Sequence, residues 1–376
     1  MWNLLAGLTP ESIVLATYKP ARAIETPVFD LPHARRFVHA ERPDLPYRVG
    51  RAWKYVQLPL IIRRLACLCR EHECGVVIGV YPDLFMMDAA QRVAARLGLP
   101  FVSYLHDTIA EATSLSRLAR WGNAVQRRVF ATSNLVMVLT GGLSDLYEHK
   151  YGLRPVFVPH SYPEPIADAT ADFASTRQSL FWGGAVYSIN SEAVARVFRA
   201  MMKVEGLRFT LATAQSRGEL AGMGMEGERI DLTCIPAEQR PRYLDLLRHH
   251  AVLVLALNWP DETRVHADEL ATIFPTKTPE YLASGRPILV HCPEHYHLAR
   301  FFRQHGCGEV VVERSVEAVE AALRRVIGSP DYRRELGSRA LVAARQFARE
   351  RVVAAFRDAV EGVLRHDGSD ACAAST

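Results

Sequence analysis

The sequence predicts an α/β protein made of two doubly wound parallel sheets in tandem, and three observations carry that prediction. Short apolar, β-branched runs alternate with longer stretches of helical spacing along almost the whole chain. The alternation is interrupted once, at residues 159–176 (PHSYPEPIADATADFAST), where prolines, small residues and acids lack sustained periodicity. The chain has 376 residues, more than one core ordinarily serves at a prior of roughly 150 residues per domain. Strand and helix in alternation require crossover connections, and these give a parallel sheet with helices on both faces.

In chain order, residues 13–16, 76–80, 101–105, 135–139 and 156–158 read as strands, with helical spacing between them, as at 88–97. They make an N-terminal domain over 1–163. The chain opens on what reads as the end of a helix and then a strand, so a first strand–helix unit with its glycine-rich loop is expected to be missing. After the linker the alternation restarts. Strands are expected at 179–182, 207–212, 252–257, 287–290 and 310–312, and helices at 192–203, 240–249 and 316–327, in a Rossmann-like domain over 176–345. The tail, residues 331–364, reads as helix, opened by Ser329 as N-cap, Pro330 as its first residue and Asp331 in its first turn. Its length suggests that residues 346–366 return to the N-terminal domain, with a bend at Gly337 or near Gln346.

Composition narrows the classes. Apolar residues make up 49% and charged residues 23%, so the chain folds rather than staying disordered. The longest apolar stretch, 56–69, is broken by Arg63 and Arg64, and no membrane span is expected. No basic leader precedes the first apolar residues, which makes the cytoplasm the expected compartment. Seven cysteines without paired C-x-x-C spacing argue against a disulfide framework or a zinc site, and are expected to be reduced, mostly buried thiols. A net charge of +4 gives no reason to expect nucleic acid, yet residues 1–160 carry 19 Lys/Arg against 13 Asp/Glu, an uneven share that suits an anionic partner. Residues 116–130 (SRLARWGNAVQRRVF) set Arg117, Arg120, Arg127 and Arg128 beside Leu118, Trp121, Val125 and Val129. That pattern fits either a helix at an anionic membrane surface, peripheral at its inner face, or a helix packed on its own sheet with arginines in water.

Open parallel sheets bind ligands beyond the carboxyl ends of their strands, which singles out three loops. The first is residues 274–290 (FPTKTPEYLASGRPILV). Thr276 or Thr278 can cap a short helix that Gly285 ends, Lys277 adds a positive charge at its start, and Glu280 in the first turn can accept two hydrogen bonds from sugar hydroxyls. A helix start of this kind suits a diphosphate. In the second, Gly183 and Gly184 follow a strand and Asn190 precedes a helix, so that a ligand could approach the backbone closely. The third is His106-Asp107 directly after the strand 101–105.

Pro275, Lys277, Glu280, Tyr281, Leu282, Ala283, Gly285, Arg286 and Pro287 together resemble the donor-site signature of retaining GT-B glycosyltransferases of the family-4-like group (glycosyl transferases group 1), in the variant P-x-K-x-x-E-Y-x-A-x-G-x-P. The resemblance extends over at least residues 176–365. It implies transfer of a sugar from a UDP- or GDP-linked donor to a glycan, lipid or small-molecule acceptor, with retention of anomeric configuration and without a metal or other cofactor. It places Glu280 at the ribose, Lys277 and Thr276 near the diphosphate, Gly183, Gly184 and Asn190 beside the donor phosphates, and His106 at the donor sugar with Asp107 beside it. Thr140 and Pro159-His160-Ser161 match weaker elements of the same pattern. Many relatives carry a second glutamate eight residues before the first, where this chain has Thr272, and the loop after residue 181 lacks the arginine and lysine that often serve there. Thr272 and the first unit expected to be missing keep open a catalytically silent sugar-nucleotide-binding protein; a nucleotide-sugar epimerase on the same fold is the other alternative, although no acid/base pair for it is identified.

Overall fold

The computed structural model describes residues 12–19, 34–40, 55–114, 118–170 and 177–373, together with residues 4, 9 and 53. The chain forms two compact units, Met1–Ser161 with Arg349–Thr376, and Tyr162–Ala348.

In the first unit, strands β1 (Val14–Lys19) and β2 (Ala34–Ala40) pair in parallel, Val14 opposite Ala34. The sequence pattern passes over β2 because Arg35, Arg36 and His39 break up its apolar run. Strands β3 (Val77–Tyr81), β4 (Phe101–Leu105), β5 (Leu135–Val138) and β6 (Val156–Phe157) form a second, all-parallel sheet in chain order. Helices α1 (Leu58–Glu71), α2 (Leu84–Leu97), α3 (Ala110–Thr113), α4 (Ala119–Thr132) and α5 (Gly141–Tyr151) connect them. Their ends are locally encoded: Asp83 accepts from the N–H groups of Phe85 and Met86, and Gly98, at φ 66°, closes α2. Thr140 spends its hydroxyl in the same way, accepting from Leu143 N at the start of α5.

The period-2 alternation of β4 and β5 sends side chains to two cores. Phe101, Leu105, Val136 and Val138 pack with Val125, Val129 and Tyr147 of α4 and α5. Val102, Tyr104 and Met137 meet Val352, Val353 and Phe356, which belong to the last helix of the chain. The C-terminal helix thus covers the other face of the N-terminal sheet.

In the second unit six strands, all parallel, lie in the order β12-β11-β10-β7-β8-β9: β7 (Arg177–Gly183), β8 (Arg208–Ala212), β9 (Ile230–Thr233), β10 (His250–Ala256), β11 (Ile288–His291) and β12 (Glu309–Val311). This is the doubly wound order 3-2-1-4-5-6, and its direction reverses between β7 and β10. Edge strand β9, IDLT, is too short and too polar to stand out in the sequence. Alternate residues of the central strands again feed two layers. Leu180, Trp182, Val252 and Val254 pack on helices α6 (Ser191–Met202) and, beyond the short α7 (Arg217–Ala221), on α12 (Val316–Gly328). Phe181, Leu253 and Leu255 pack with α8 (Arg240–His249), α9 (Ala267–Thr272), α10 (Thr278–Ala283), α11 (His297–His305) and α13 (Pro330–Ala344).

The tail is not one helix. Helix α13 runs straight through Gly337, which serves close packing: a Cβ there would lie 2.2 Å from the Gly285 carbonyl oxygen. The break comes at Arg345–Phe347, a 3-10 turn that ends with Ala348 extended before α14 (Arg349–Ala373) begins. Phe347 is buried and its carbonyl accepts from Tyr162 N at 2.6 Å, so the first residues of this unit are tied to its last. The cysteines depart from expectation as well: of the six described, only Cys292 and Cys307 are buried, because the others lie on helix surfaces and loops.

Candidate functional site

The carboxyl ends of β7 and β10 flank the point where strand order reverses, the place where an open parallel sheet leaves a crevice for a ligand. Strand β7 ends at Gly183. Its N–H donates to Tyr281 Oη at 2.9 Å and its carbonyl accepts from Lys277 Nζ at 2.8 Å. A Cβ at Gly183 would come within 2.7 Å of Tyr243 Oη, so glycine here lets Tyr243 of α8 close on this strand end. Gly184 follows at φ 103° with open space around it, a conformation that disfavours any side chain.

The two loops picked out independently in the sequence therefore meet. Lys277 is the N-cap of α10 without using its side chain as a cap. Its ammonium lies 3.2 Å from the centroid of the Trp182 ring and donates to Gly183 O. Burial holds its pKa well below the usual lysine range. The backbone around it offers fewer donors than the sequence suggests, because Thr278 N–H bonds to Pro275 O at 2.8 Å and Pro279 has no N–H. Thr276 is exposed. Thr278 is buried and its Oγ1 has no hydrogen-bond partner.

Glu280 is held by a residue the sequence reading did not identify. Arg240, first residue of α8, donates Nη1–H to Glu280 Oε1 at 2.5 Å and grips Glu164 with two bonds, Nε to Oε1 and Nη2 to Oε2, the latter at 2.9 Å. Tyr243, one turn further along α8, also acts to lower the Glu280 pKa. Burial pushes the Glu280 pKa up while Arg240 pulls it down, and the net direction is upward. The arrangement is a chain of carboxylate, guanidinium and carboxylate at the rim of the strand ends. It can present one fixed anionic acceptor to hydroxyl groups.

On the β10 side, Asn258 is buried and ties three loop atoms together. Its Oδ1 accepts from Ala193 N at 2.9 Å, its Nδ2 donates to Ser188 O at 3.0 Å, and its own N–H donates to Ile189 O at 2.8 Å. Asn190 turns inward likewise, its Oδ1 accepting from Tyr187 N at 2.8 Å, so it shapes the loop instead of capping α6. With Ser191 N–H bonded to Tyr187 O and Ala193 N–H to Asn258, two of the donors at the start of α6 are already used. Thr272 ends α9 and donates to Glu269 O at 2.8 Å, an ordinary helix-end bond.

In the first unit, His106 follows β4. Its ring packs edge-on to Tyr104, centroids 4.6 Å apart, and to His160 at 5.8 Å. Its Nε2 is buried without a hydrogen-bond partner. Burial, reinforced by His160, drives its pKa down to about 3, and burial takes His160 to about 4, so both rings are neutral at physiological pH. Asp107 is exposed.

The arginine-rich stretch resolves toward its structural reading. Residues 115–117, including Ser116 and Arg117, lie outside the described residues. In α4, Val125 and Val129 are buried in the core with Trp121 and Phe130 packed against it, so the apolar face is covered by protein. Trp121 Nε1 and Arg128 both bond to the buried Asp88 carboxylate; Arg120 and Arg127 are exposed. No described helix is long and apolar enough to cross a membrane, and among the described residues no group of three or more His, Cys, Asp or Glu is set to hold a metal ion.

Two all-parallel Rossmann-like units, the second of order 3-2-1-4-5-6 and the first completed by the C-terminal helix, are the architecture of GT-B glycosyltransferases, and the chain has that fold. Among solved structures it is similar to sucrose-phosphate synthase from Thermosynechococcus elongatus, with 14% identity, 93% of this chain and 88% of that one covered, and a TM-score of 0.66. It is also similar to Anabaena HepE in complex with UDP-glucose (11% identity, 86% and 84% covered, TM-score 0.61) and to a glycosyltransferase from Rickettsia africae (10% identity, 81% and 82% covered, TM-score 0.57). At these identities the likeness establishes the fold, and function has to be argued from the site. No protein-family model and no curated protein matches the sequence.

Proposed function

We propose that the protein is a glycosyltransferase that takes a sugar from a nucleotide-diphosphate donor, UDP- or GDP-linked, and passes it to a glycan, lipid or small-molecule hydroxyl. The observation that carries this reading is the convergence of Gly183, Lys277 and the Arg240-held Glu280 at the strand-order reversal of a 3-2-1-4-5-6 sheet. The likeness to HepE, whose structure holds UDP-glucose, supports it.

In this reading Glu280 accepts hydrogen bonds from the ribose hydroxyls, and Arg240 keeps that carboxylate ionised and aimed. Lys277 leaves Gly183 O to meet the diphosphate, whose charge restores the ammonium's pKa. Gly183 and Gly184 let the phosphates approach the backbone. The anomeric carbon–oxygen bond to the diphosphate breaks, a bond to the acceptor oxygen forms, the acceptor proton is released, and the nucleoside diphosphate leaves with the negative charge that Lys277 stabilises. His106 and Asp107 keep the sugar-side role that the resemblance implies. Retention of configuration, independence of metal and a place in glycan or glycolipid synthesis belong to the same proposal. Contact with an anionic membrane, if made through α4, rests on Arg120 and Arg127 alone, since its apolar face is covered.

The test is release of nucleoside diphosphate from a panel of UDP- and GDP-sugars with and without chelator, with anomeric configuration of any product read by NMR. Turnover lost in Lys277→Ala and Glu280→Ala supports the proposal. Tight donor binding with no turnover against any acceptor class would favour the silent binder.

A further inference from the structure

The C-terminus of α1 places two cysteines face to face. Cys74 N–H donates to Cys69 O at 2.9 Å and Glu73 N–H to Arg70 O at 3.3 Å, with Glu73 in the left-handed region at φ 49°. This pair of bonds is the Schellman cap, in which the residue after the left-handed position returns over the third residue from the helix end and their side chains touch. Those contacts are ordinarily apolar. Here both side chains are thiols, and Cys74 is among the neighbours that raise the Cys69 pKa. Glu73 is the only described non-glycine residue with positive φ, so the chain accepts a backbone cost to keep this cap. Both cysteines are half-buried, within reach of a small oxidant, while Cys67, two residues earlier on the helix, is exposed and lies well around the helix from Cys69.

We infer that Cys69 and Cys74 form an oxidisable pair that closes into an intramolecular disulfide across the α1 cap. A disulfide needs its two backbones within about 7 Å; the Cys74–Cys69 backbone bond holds them inside that distance, and the Schellman turn brings the two side chains to one side of the helix end. With a peroxide as oxidant, the Cys74 thiolate attacks one peroxide oxygen and water leaves. Cys69 then attacks the sulfenic sulfur, a second water leaves, and the two electrons of the new S–S bond's formation have reduced the peroxide. Burial raises both thiols, Cys69 to about 11, so closure is slow at neutral pH and accelerates as pH rises.

The experiment treats the full-length protein with hydrogen peroxide, alkylates residual thiols and digests with trypsin without reduction. Cleavage after Arg64, Arg70 and Arg92 separates Cys67 and Cys69 (LACLCR) from Cys74. The expected product is the two peptides joined with loss of two hydrogens, fragment ions placing the link on Cys69, and the link surviving Cys67→Ser and abolished by Cys69→Ser. Fragmentation of the wild-type peptide locates the bond even if a variant folds poorly. A link through Cys67, or alkylated or over-oxidised Cys69 and Cys74 with no cross-link, would overturn the inference. The reading as a glycosyltransferase plays no part in this result.

Discussion

Replacing Arg240 by alanine strips the guanidinium from between Glu164 and Glu280 and leaves two carboxylates facing a gap. Charge-assisted bonds of this kind contribute about 1.5–3 kcal/mol each when shielded. With the Arg240 side chain 36% exposed, solvent screening discounts the three together to about 2 kcal/mol. For a unit the size of Tyr162–Ala348 that is roughly 4–8 °C in thermal midpoint. The effect on ligand binding is separable. Arg240 is the main influence lowering the Glu280 pKa against its burial, so its loss raises that pKa further and the carboxylate is protonated over more of the mildly acidic range. Titration calorimetry with whichever of UDP and GDP the wild-type protein binds should show binding about tenfold weaker at neutral pH, near 1.4 kcal/mol, with its acid limb moved to higher pH. Arg240→Lys, which keeps the charge and loses the two-pronged grip, should fall between. Binding of that nucleotide by Arg240→Ala equal to wild type, with the same pH dependence, would refute the role given to this residue.

Four other outcomes follow from the geometry. Gly183→Ala, whose Cβ would meet Tyr243 Oη at 2.7 Å, should destabilise the protein by about 1–3 kcal/mol in urea unfolding and abolish nucleotide-sugar turnover; a stable, active variant would contradict the close packing. Asn258→Ala removes two side-chain bonds across the β7–β10 loops, and a loss of about 1–3 kcal/mol is expected, with faster hydrogen exchange at 188–193 as the check. His106 and His160, at about 3 and 4 in the folded protein against an ordinary 6.5, contribute stability that is full above pH 6.5. That stability is lost as pH falls, because the unfolded chain takes up the protons first, at a slope of about 1.4 kcal/mol per pH unit for each ring; His106→Phe should flatten the acid limb of thermal stability between those values. His106→Ala should also keep donor binding and lose turnover, and unchanged turnover would remove it from the chemistry.

Much of the fold was legible because its determinants are local. Asp83 and Gly98 bracket α2, Ser329 and Pro330 open α13, and the apolar run of β10 names a strand buried on both faces. The strand order that identifies the crevice is a tertiary fact, but Gly183 and Lys277 could be singled out beforehand because glycine after a strand and lysine before a helix are signals within a few residues. Arg240 and Asn258 could not. Arg240 reaches Glu280 across 40 residues and Asn258 reaches Ala193 across 65, and neither carries a local cue beyond its side-chain type. In the tail the bend near Gln346 is where the break falls, whereas Gly337, which reads as a helix-weakening residue, is instead the contact that admits the Gly285 carbonyl. In α4 the amphipathic pattern was real, and only the packing decided that its apolar side faces the sheet.

The central claim, that Lys277 and the Arg240-held Glu280 bind a nucleotide-diphosphate sugar, is tested most directly by thermal shift against a panel of UDP- and GDP-sugars. At least one should raise the midpoint of the wild-type protein, and Lys277→Ala and Glu280→Ala, themselves folded, should not respond to it. A folded wild-type protein indifferent to every member of the panel at millimolar concentration, or variants that respond as fully as wild type, would contradict the account.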